Sequence, residues 1–220
     1  MTEAEILAWV KAHKSEIVRN VIAGRTPKDN PVAIIMAGLP GSGKTEFLNH
    51  IIKTLPEAVT IDLDILVAQI PGYSPEIYYK YRKAANVLVS ALLKQVNKMK
   101  INFALDGTFC HDRGAHNIEE ALKHGFDVNL FLINQEPEKA WELAEARRKL
   151  TGRPISREGF VETCHKIIPK INEAINKFRD NPNFYFNAVQ KTDNILKPYE
   201  YSAKMLMIDK KIENMYNDIK

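Results

Sequence analysis

The chain has 220 residues, 45% of them hydrophobic and 26% charged, which suits one domain with a full hydrophobic core. A formal net charge of +4 is too mild to imply nucleic-acid binding, and two cysteines, Cys110 and Cys164, give neither a disulfide framework nor metal-ligand spacing. No apolar run approaches the roughly 18 to 20 residues needed to span a bilayer, and the acidic start "MTEAEILAWVKAHK" does not read as a signal peptide, so a cytoplasmic setting is expected.

In chain order, residues 2–23 predict a helix. Thr2 and Glu5 have capping-box spacing, and Ile6, Leu7, Val10, Ile17, Val18 and Val21 recur at helical intervals. "GRTPKDNP", 24–31, is a connector punctuated by Gly and Pro. Strands and helices then alternate. Strands are expected at 32–37, 58–62, 101–107, 126–134 and 183–189. Helices are expected at 43–54, 74–100, 114–124, 136–150, 157–179 and 202–219. Pro75 sits in a first turn and Gly125 just past a helix end, as those residues prefer. The alternation predicts an α/β fold with a mostly parallel, roughly five-stranded sheet; together with the glycine-rich "GLPGSGKT" after the first strand and the arginine-rich helical break, this is a P-loop NTPase three-layer sandwich with a helical lid expected at about 147–160. Residues 1–30 form an N-terminal helical extension to a domain at 31–220. Its single apolar face favours packing against the sheet over covering the site.

"GLPGSGKT" satisfies G-x-x-x-x-G-K-[ST] with Gly38, Gly43, Lys44 and Thr45, between an expected strand and an expected helix. Gly38, Gly41, Ser42 and Gly43 let backbone N–H groups turn inward around a phosphate chain, and a helix start carrying Glu46 follows. Lys44 would reach the β- and γ-phosphates, and the Thr45 hydroxyl would ligate Mg²⁺. A guanine-reading N-K-x-D is missing, since "NKMK" and "NKFR" lack the aspartate. Asp106 is followed by Gly107, so the Glu that orients water in ATP-driven motors is missing too. A phosphotransferase remains, which needs a carboxylate beside the γ-phosphate and cations to neutralise the transferring group.

"TIDLDIL" puts Asp62 and Asp64 at the C-terminal edge of the second strand, where open α/β sheets bind ligands. Alternate residues of an extended chain face one way, so both are expected to point into the cleft, with Asp64 further out as the catalytic base. The competing reading is a turn cap. Asp106 ends the third strand and is expected to order the Mg²⁺ shell with Thr45, while Thr108 contacts acceptor or phosphate. "ARRKLTGRPISREGF" supplies Arg147, Arg148, Arg153 and Arg157 around a helical break, as in a lid closing over phosphates. A solvated basic face is the alternative for these. Tyr73 and Tyr78, with Tyr79 and Tyr81, are candidates to stack on an acceptor, although tyrosines at helical spacing usually pack. Glu76, His111 and Asp112 are further candidates for the same pocket.

The strand–P-loop–helix, "IDLD", the long helix, "LDGT" and the arginine lid together resemble the zeta toxin family of P-loop kinases, from about residue 32 to 190. The resemblance implies an ATP-dependent kinase acting on the 3′-hydroxyl of UDP-N-acetylglucosamine, with a fold similar to chloramphenicol phosphotransferase and polynucleotide kinase. It implies Lys44 and Thr45 for ATP and Mg²⁺, Asp64 as general base, and Arg147 or Arg148 with Arg153 on the phosphates. It also implies an antitoxin partner protein. The family has E-G-T-x-R after the third strand, whereas this chain reads Asp106-Gly107-Thr108-Phe109-Cys110, so Cys110 replaces an arginine on the substrate side. Cys110 beside His111 has no third group to orient it as a nucleophile. Other acceptors (an antibiotic, another metabolite, a polynucleotide 5′-end) and a non-catalytic nucleotide-binding module are the alternatives.

Overall fold

The apolar run of β1 (Val32–Ala37) lies at the centre of the sheet, and its side chains divide the core in two. Ala33, Ile35 and Ala37 enter a large cluster on one face, while Ile34 and Met36 enter a small one on the other. This is the two-residue period of a strand with both faces covered. The computed structural model describes residues 1–152, 155–192, 195–198 and 210–219.

The sheet continues with β2 (Val59–Ile61), β3 (Phe103–Leu105), β4 (Asp127–Asn134), β5 (Phe184–Thr192) and β6 (Ile195–Pro198), in the spatial order β2-β3-β1-β4-β5-β6. β1 to β5 are parallel, and β6 pairs antiparallel to β5, with Val189 opposite Pro198. Five parallel strands match the sequence reading. The sixth does not: "ILKP" was not expected to pair, because a four-residue edge strand has too few residues to show a period. The helices are α1 (Glu3–Ile22), α2 (Lys44–Ile51), α3 (Leu63–Val67), α4 (Tyr78–Met99), α5 (Arg113–Lys123), α6 (Pro137–Thr151), α7 (Arg157–Phe178) and α8 (Lys210–Asn217). Of the helix expected at 202–219, residues 202–209 lie outside the described residues.

β3 is shorter at both ends than "INFALDG" suggested. The Asn102 side chain accepts from Val32 N–H at 2.8 Å, and Asp106 N–H donates to Ile61 C=O at 3.0 Å. That last bond ties the residue before Asp62 to Asp106, so the ends of β2 and β3 finish side by side.

The capping box of α1 is present, with Glu5 N–H donating to Thr2 Oγ1 and Thr2 N–H to Glu5 Oε2. Its buried residues Ile6, Val10, Ile17, Val18 and Ile22 join the large cluster, chiefly against α4. Residues 1–30 thus share one core with the rest of the chain. Ile6→Ala should cost about 2–5 kcal/mol in urea unfolding, as for a large-to-small change at a fully buried site. A cost below about 0.5 kcal/mol, the range of surface changes, would mean that α1 is a detachable accessory.

Candidate functional site

The P-loop joins β1 to α2, and its shape is set by close approach as much as by glycine freedom. A Cβ on Gly41 (φ 82°) would sit 2.1 Å from the Ala140 carbonyl oxygen and 2.9 Å from Ala144 N. The loop therefore packs backbone to backbone on α6, and no other residue fits. Inside the loop, Ser42 is buried, and its Oγ has no hydrogen-bond partner among the described residues. An orphaned buried hydroxyl costs about 1–3 kcal/mol, so it marks a place meant for a polar ligand. Lys44 Nζ donates to the carbonyls of Gly38 (3.1 Å) and Leu39 (2.8 Å). Burial pushes the Lys44 ammonium below the ordinary lysine range, the Asp106 carboxylate opposes this, and the Arg147 guanidinium adds to the lowering.

Thr45 Oγ1 donates to Asp106 Oδ2 at 3.0 Å. Two oxygen donors side by side, one of them on the first turn of α2 directly after the glycine-rich loop, fit a small hard cation that keeps most of its shell for water and phosphate. Glycine at 38, 41 and 43, the Ser42 hydroxyl and Lys44 likewise fit a phosphate chain.

Asp62 lies close enough to act on Lys44 and Arg147, and Asp64 lies at Arg147, but the two are not residues of one extended strand. Only Asp62 is extended (φ −122°, ψ 127°), and its side chain caps α3 by accepting from Asp64 N–H at 2.7 Å. Asp64 belongs to the first turn of that helix. The alternation argument fails because the chain turns helical at Leu63. The cap reading holds for Asp62. The Asp64 carboxylate reaches the end of α6, where Arg147 Nη2 donates to its Oδ2 at 3.0 Å. Of the two adjacent arginines at the end of α6, Arg147 is the one at Asp64. Arg148 lies 3.7 Å from Glu145. Arg157 is bound to Glu138 at 2.9 Å and lies over the Trp141 ring, so it braces α6 against α7. Arg153 lies outside the described residues.

On the acceptor side the positions are mixed. Tyr78 is buried in the core, and Tyr73 packs edge-on against Tyr81, so both have packing roles. Tyr79 is exposed. A Cβ on Gly152 (φ 74°), which caps the C-terminal end of α6, would come within 2.9 Å of Glu76 Oε1. The end of α6 therefore rests on the 3-10 turn at Pro75–Ile77 that leads into α4. The Thr108 hydroxyl lies 3.0 Å from Cys110 Sγ, and Cys110 is buried. His111 is exposed, and Asp112 pairs with Lys170 at 2.7 Å.

Sequence reasoning missed Lys191. It ends the inward row of β5, is almost wholly buried, and reaches Glu46 Oε2 at 2.6 Å beside the P-loop. The row is visible only in hindsight, since Val189, two residues earlier, packs in the small cluster on the α2 face.

A parallel β2-β3-β1-β4-β5 sheet, a P-loop at the end of the central strand and arginines on a helix–break–helix define a P-loop kinase-like α/β protein. The zeta toxin profile matches residues 18–194, and the chain belongs to that family. Over 136 residues it is 28% identical to toxin PezT of Streptococcus pneumoniae serotype 4, a match covering 56% of this chain and 53% of PezT. The chain thus spans about half the length of that relative. Its fold is similar to a chain from the PezAT chromosomal toxin–antitoxin system of Streptococcus pneumoniae, with TM-score 0.64 and 20% identity, covering 85% of this chain and 78% of that one. A chain of the AvrRxo1-ORF1:AvrRxo1-ORF2 complex with ATP gives the same TM-score of 0.64 at 11% identity, covering 96% of this chain and 71% of that one. Among the described residues, no helix is long and apolar enough to cross a membrane.

Burial pushes the Asp62 carboxyl above the ordinary aspartate range, and the charges of Asp106 and Asp64 push the same way, against the Asp64 N–H bond and Arg147. An acid raised on folding contributes stability below its unfolded value that is lost as pH climbs through the folded value. Asp62→Asn keeps a capping oxygen and removes the charge. The variant should therefore melt higher than the parent at pH 7, and the gain should vanish toward pH 3.5, below the ordinary aspartate value of about 3.9. Thermal melts followed by circular dichroism read this; equal melting temperatures at pH 7 would contradict it.

Proposed function

We propose that the chain is an ATP- and Mg²⁺-dependent kinase that moves the γ-phosphate to a hydroxyl of a small molecule. One observation carries this reading: Arg147, whose charge acts on Lys44 of the P-loop, is bonded at 3.0 Å to the Asp64 carboxylate. A bare nucleotide holder needs the loop. A carboxylate and a guanidinium from two other elements add an acceptor-side base and a cation for the transferring group.

In this account Gly38, Gly41, Ser42, Gly43 and Lys44 hold the phosphates. Thr45 and Asp106 would hold Mg²⁺, which when bound neutralises charge on the β- and γ-oxygens. Asp64 accepts the proton of the acceptor hydroxyl as its oxygen attacks phosphorus. The oxygen between the β- and γ-phosphates leaves with ADP. Arg147 and Arg153 balance the charge spread over the transferred group, and Asp62 fixes Asp64 by capping the turn that carries it. Catalysis is mainly positioning and electrostatics.

The family resemblance favours a nucleotide-sugar acceptor such as UDP-N-acetylglucosamine. Thr108 and Glu76 line the approach on this reading. The buried Cys110, where the family has an arginine, favours a different acceptor. Its thiol offers no cation to a diphosphate, so a metabolite or antibiotic with a free hydroxyl is the second reading. We also propose a cytoplasmic setting, which the two free, buried cysteines support. A neutralising antitoxin is proposed as partner, by analogy with the toxin–antitoxin origin of the PezAT neighbour.

Mass spectrometry of a metabolite extract treated with protein and ATP·Mg²⁺ should show one compound gaining a single phosphate. Asp64→Ala should lower that transfer by about 10²- to 10⁴-fold, the usual contribution of a general base, with ATP still bound. Lys44→Ala should weaken both binding and transfer. Unchanged transfer by Asp64→Ala would remove the base from the account, and no phosphorylated product from any extract would favour the non-catalytic module.

A further inference from the structure

Lys191 is 5% exposed, yet its amine lies beside the start of α2, the positive end of a helix dipole. A Cβ built on Gly43 would meet Lys191 Nζ at 2.8 Å, Lys191 Cδ at 2.9 Å and Glu46 Oε2 at 2.9 Å. The lysine therefore lies against the loop at Gly43, which leaves room for it. Its carboxylate partner is a weak one: the Glu46 side chain is 68% exposed, and a mostly solvated carboxylate returns little of the cost of burying a cation.

Strand order says which part of a ligand this cation would meet. β3 and β2 flank β1 on one side and end in Asp106 and Asp62, with Asp64 just beyond. β4 and β5 flank it on the other side, and β5 carries Lys191. A phosphate chain lying in the loop runs across the end of β1. Its reacting end faces the carboxylates and Arg147, so its other end faces β5.

We propose that Lys191 is a nucleotide-binding residue that grips the phosphate nearer the nucleoside, and that Glu46 holds it in place and competes with that phosphate for it. The assignment rests on the nucleotide reading above and deepens it. Lys44 serves the end of the chain that is transferred; Lys191 serves the end that stays with the leaving nucleotide. Glu46 is a positioning residue acting through Lys191. Its charge lies close to where an anion arrives, so its removal frees the lysine and also removes a repulsion.

Titration calorimetry of ADP and of ATP, each with Mg²⁺, tests this on the parent chain and on Lys191→Met, Lys191→Arg and Glu46→Gln. Thermal melts confirm that each variant is folded. Lys191→Met should weaken ADP and ATP by the same factor, about tenfold, as for loss of one charge-assisted hydrogen bond. Lys191→Arg should stay within about threefold of the parent, since the cation is kept. Glu46→Gln should tighten both nucleotides by about threefold, through freed charge. A purely structural brace predicts that Glu46→Gln and Lys191→Met weaken binding alike, and that result would overturn the proposal. Parent-like affinity in Lys191→Met would overturn it as well, as would a loss confined to ATP, which would put the lysine at the transferred phosphate. If the parent chain binds neither nucleotide, the nucleotide reading fails and this assignment falls with it.

Discussion

Three carboxylates crowd the C-terminal edge of β2 and β3, and the fold holds them there with two cations. Asp62 is the most constrained, since burial and the charges of Asp106 and Asp64 all resist its ionisation. Lys44 and Arg147 lie within reach of the same charges. Removing either cation leaves like charges facing one another in a partly dry cleft, where repulsion is strong. The three carboxylates thus depend on the two cations beside them. A group that carries negative charge enters it only with cations of its own, which is the electrostatic reason to expect a metal–nucleotide complex in this cleft and not a free anion.

The second constraint is mechanical. Gly41 lets the P-loop touch α6 backbone to backbone, and the far end of the same helix carries Arg147 to Asp64. Loop, helix and Asp64 therefore form one chain of contacts. α6 is further locked to α7 by Arg157, which bonds Glu138 and lies over Trp141. One packed helix thus touches the P-loop at Gly41, Asp64 through Arg147 and α7 through Glu138.

The sequence was most legible where one residue type has one physical use. The P-loop, the capping box at Thr2 and Glu5 and the apolar run of β1 each follow from local chemistry, and each stands where expected. Legibility failed where a position depends on distant neighbours. Asp62 and Asp64 were expected to share a strand, but helix α3 begins between them because the Asp62 cap competes with extension. Nothing in "ARRK" tells Arg147 from Arg148; their roles follow from the rotation of α6 against α3. Tyr78 resembles a stacking residue in sequence and is core in the fold. Lys191 was passed over because a lysine at a strand end usually faces water, and only the packing of β5 on the α2 face turns it inward. The antiparallel β6 left no periodic signal at four residues.

The central claim is that one carboxylate and one lid arginine are built to meet the outermost phosphate of a nucleotide seated in the loop. A crystal structure with Mg²⁺ and a non-hydrolysable ATP analogue tests it most directly. The account predicts an outermost phosphate flanked by Lys44 and Arg147, with the Asp64 carboxylate about 3–3.5 Å from the in-line position that an attacking oxygen would take. A seated triphosphate with Asp64 and Arg147 still bonded to each other, and both beyond reach of its last phosphate, would contradict it.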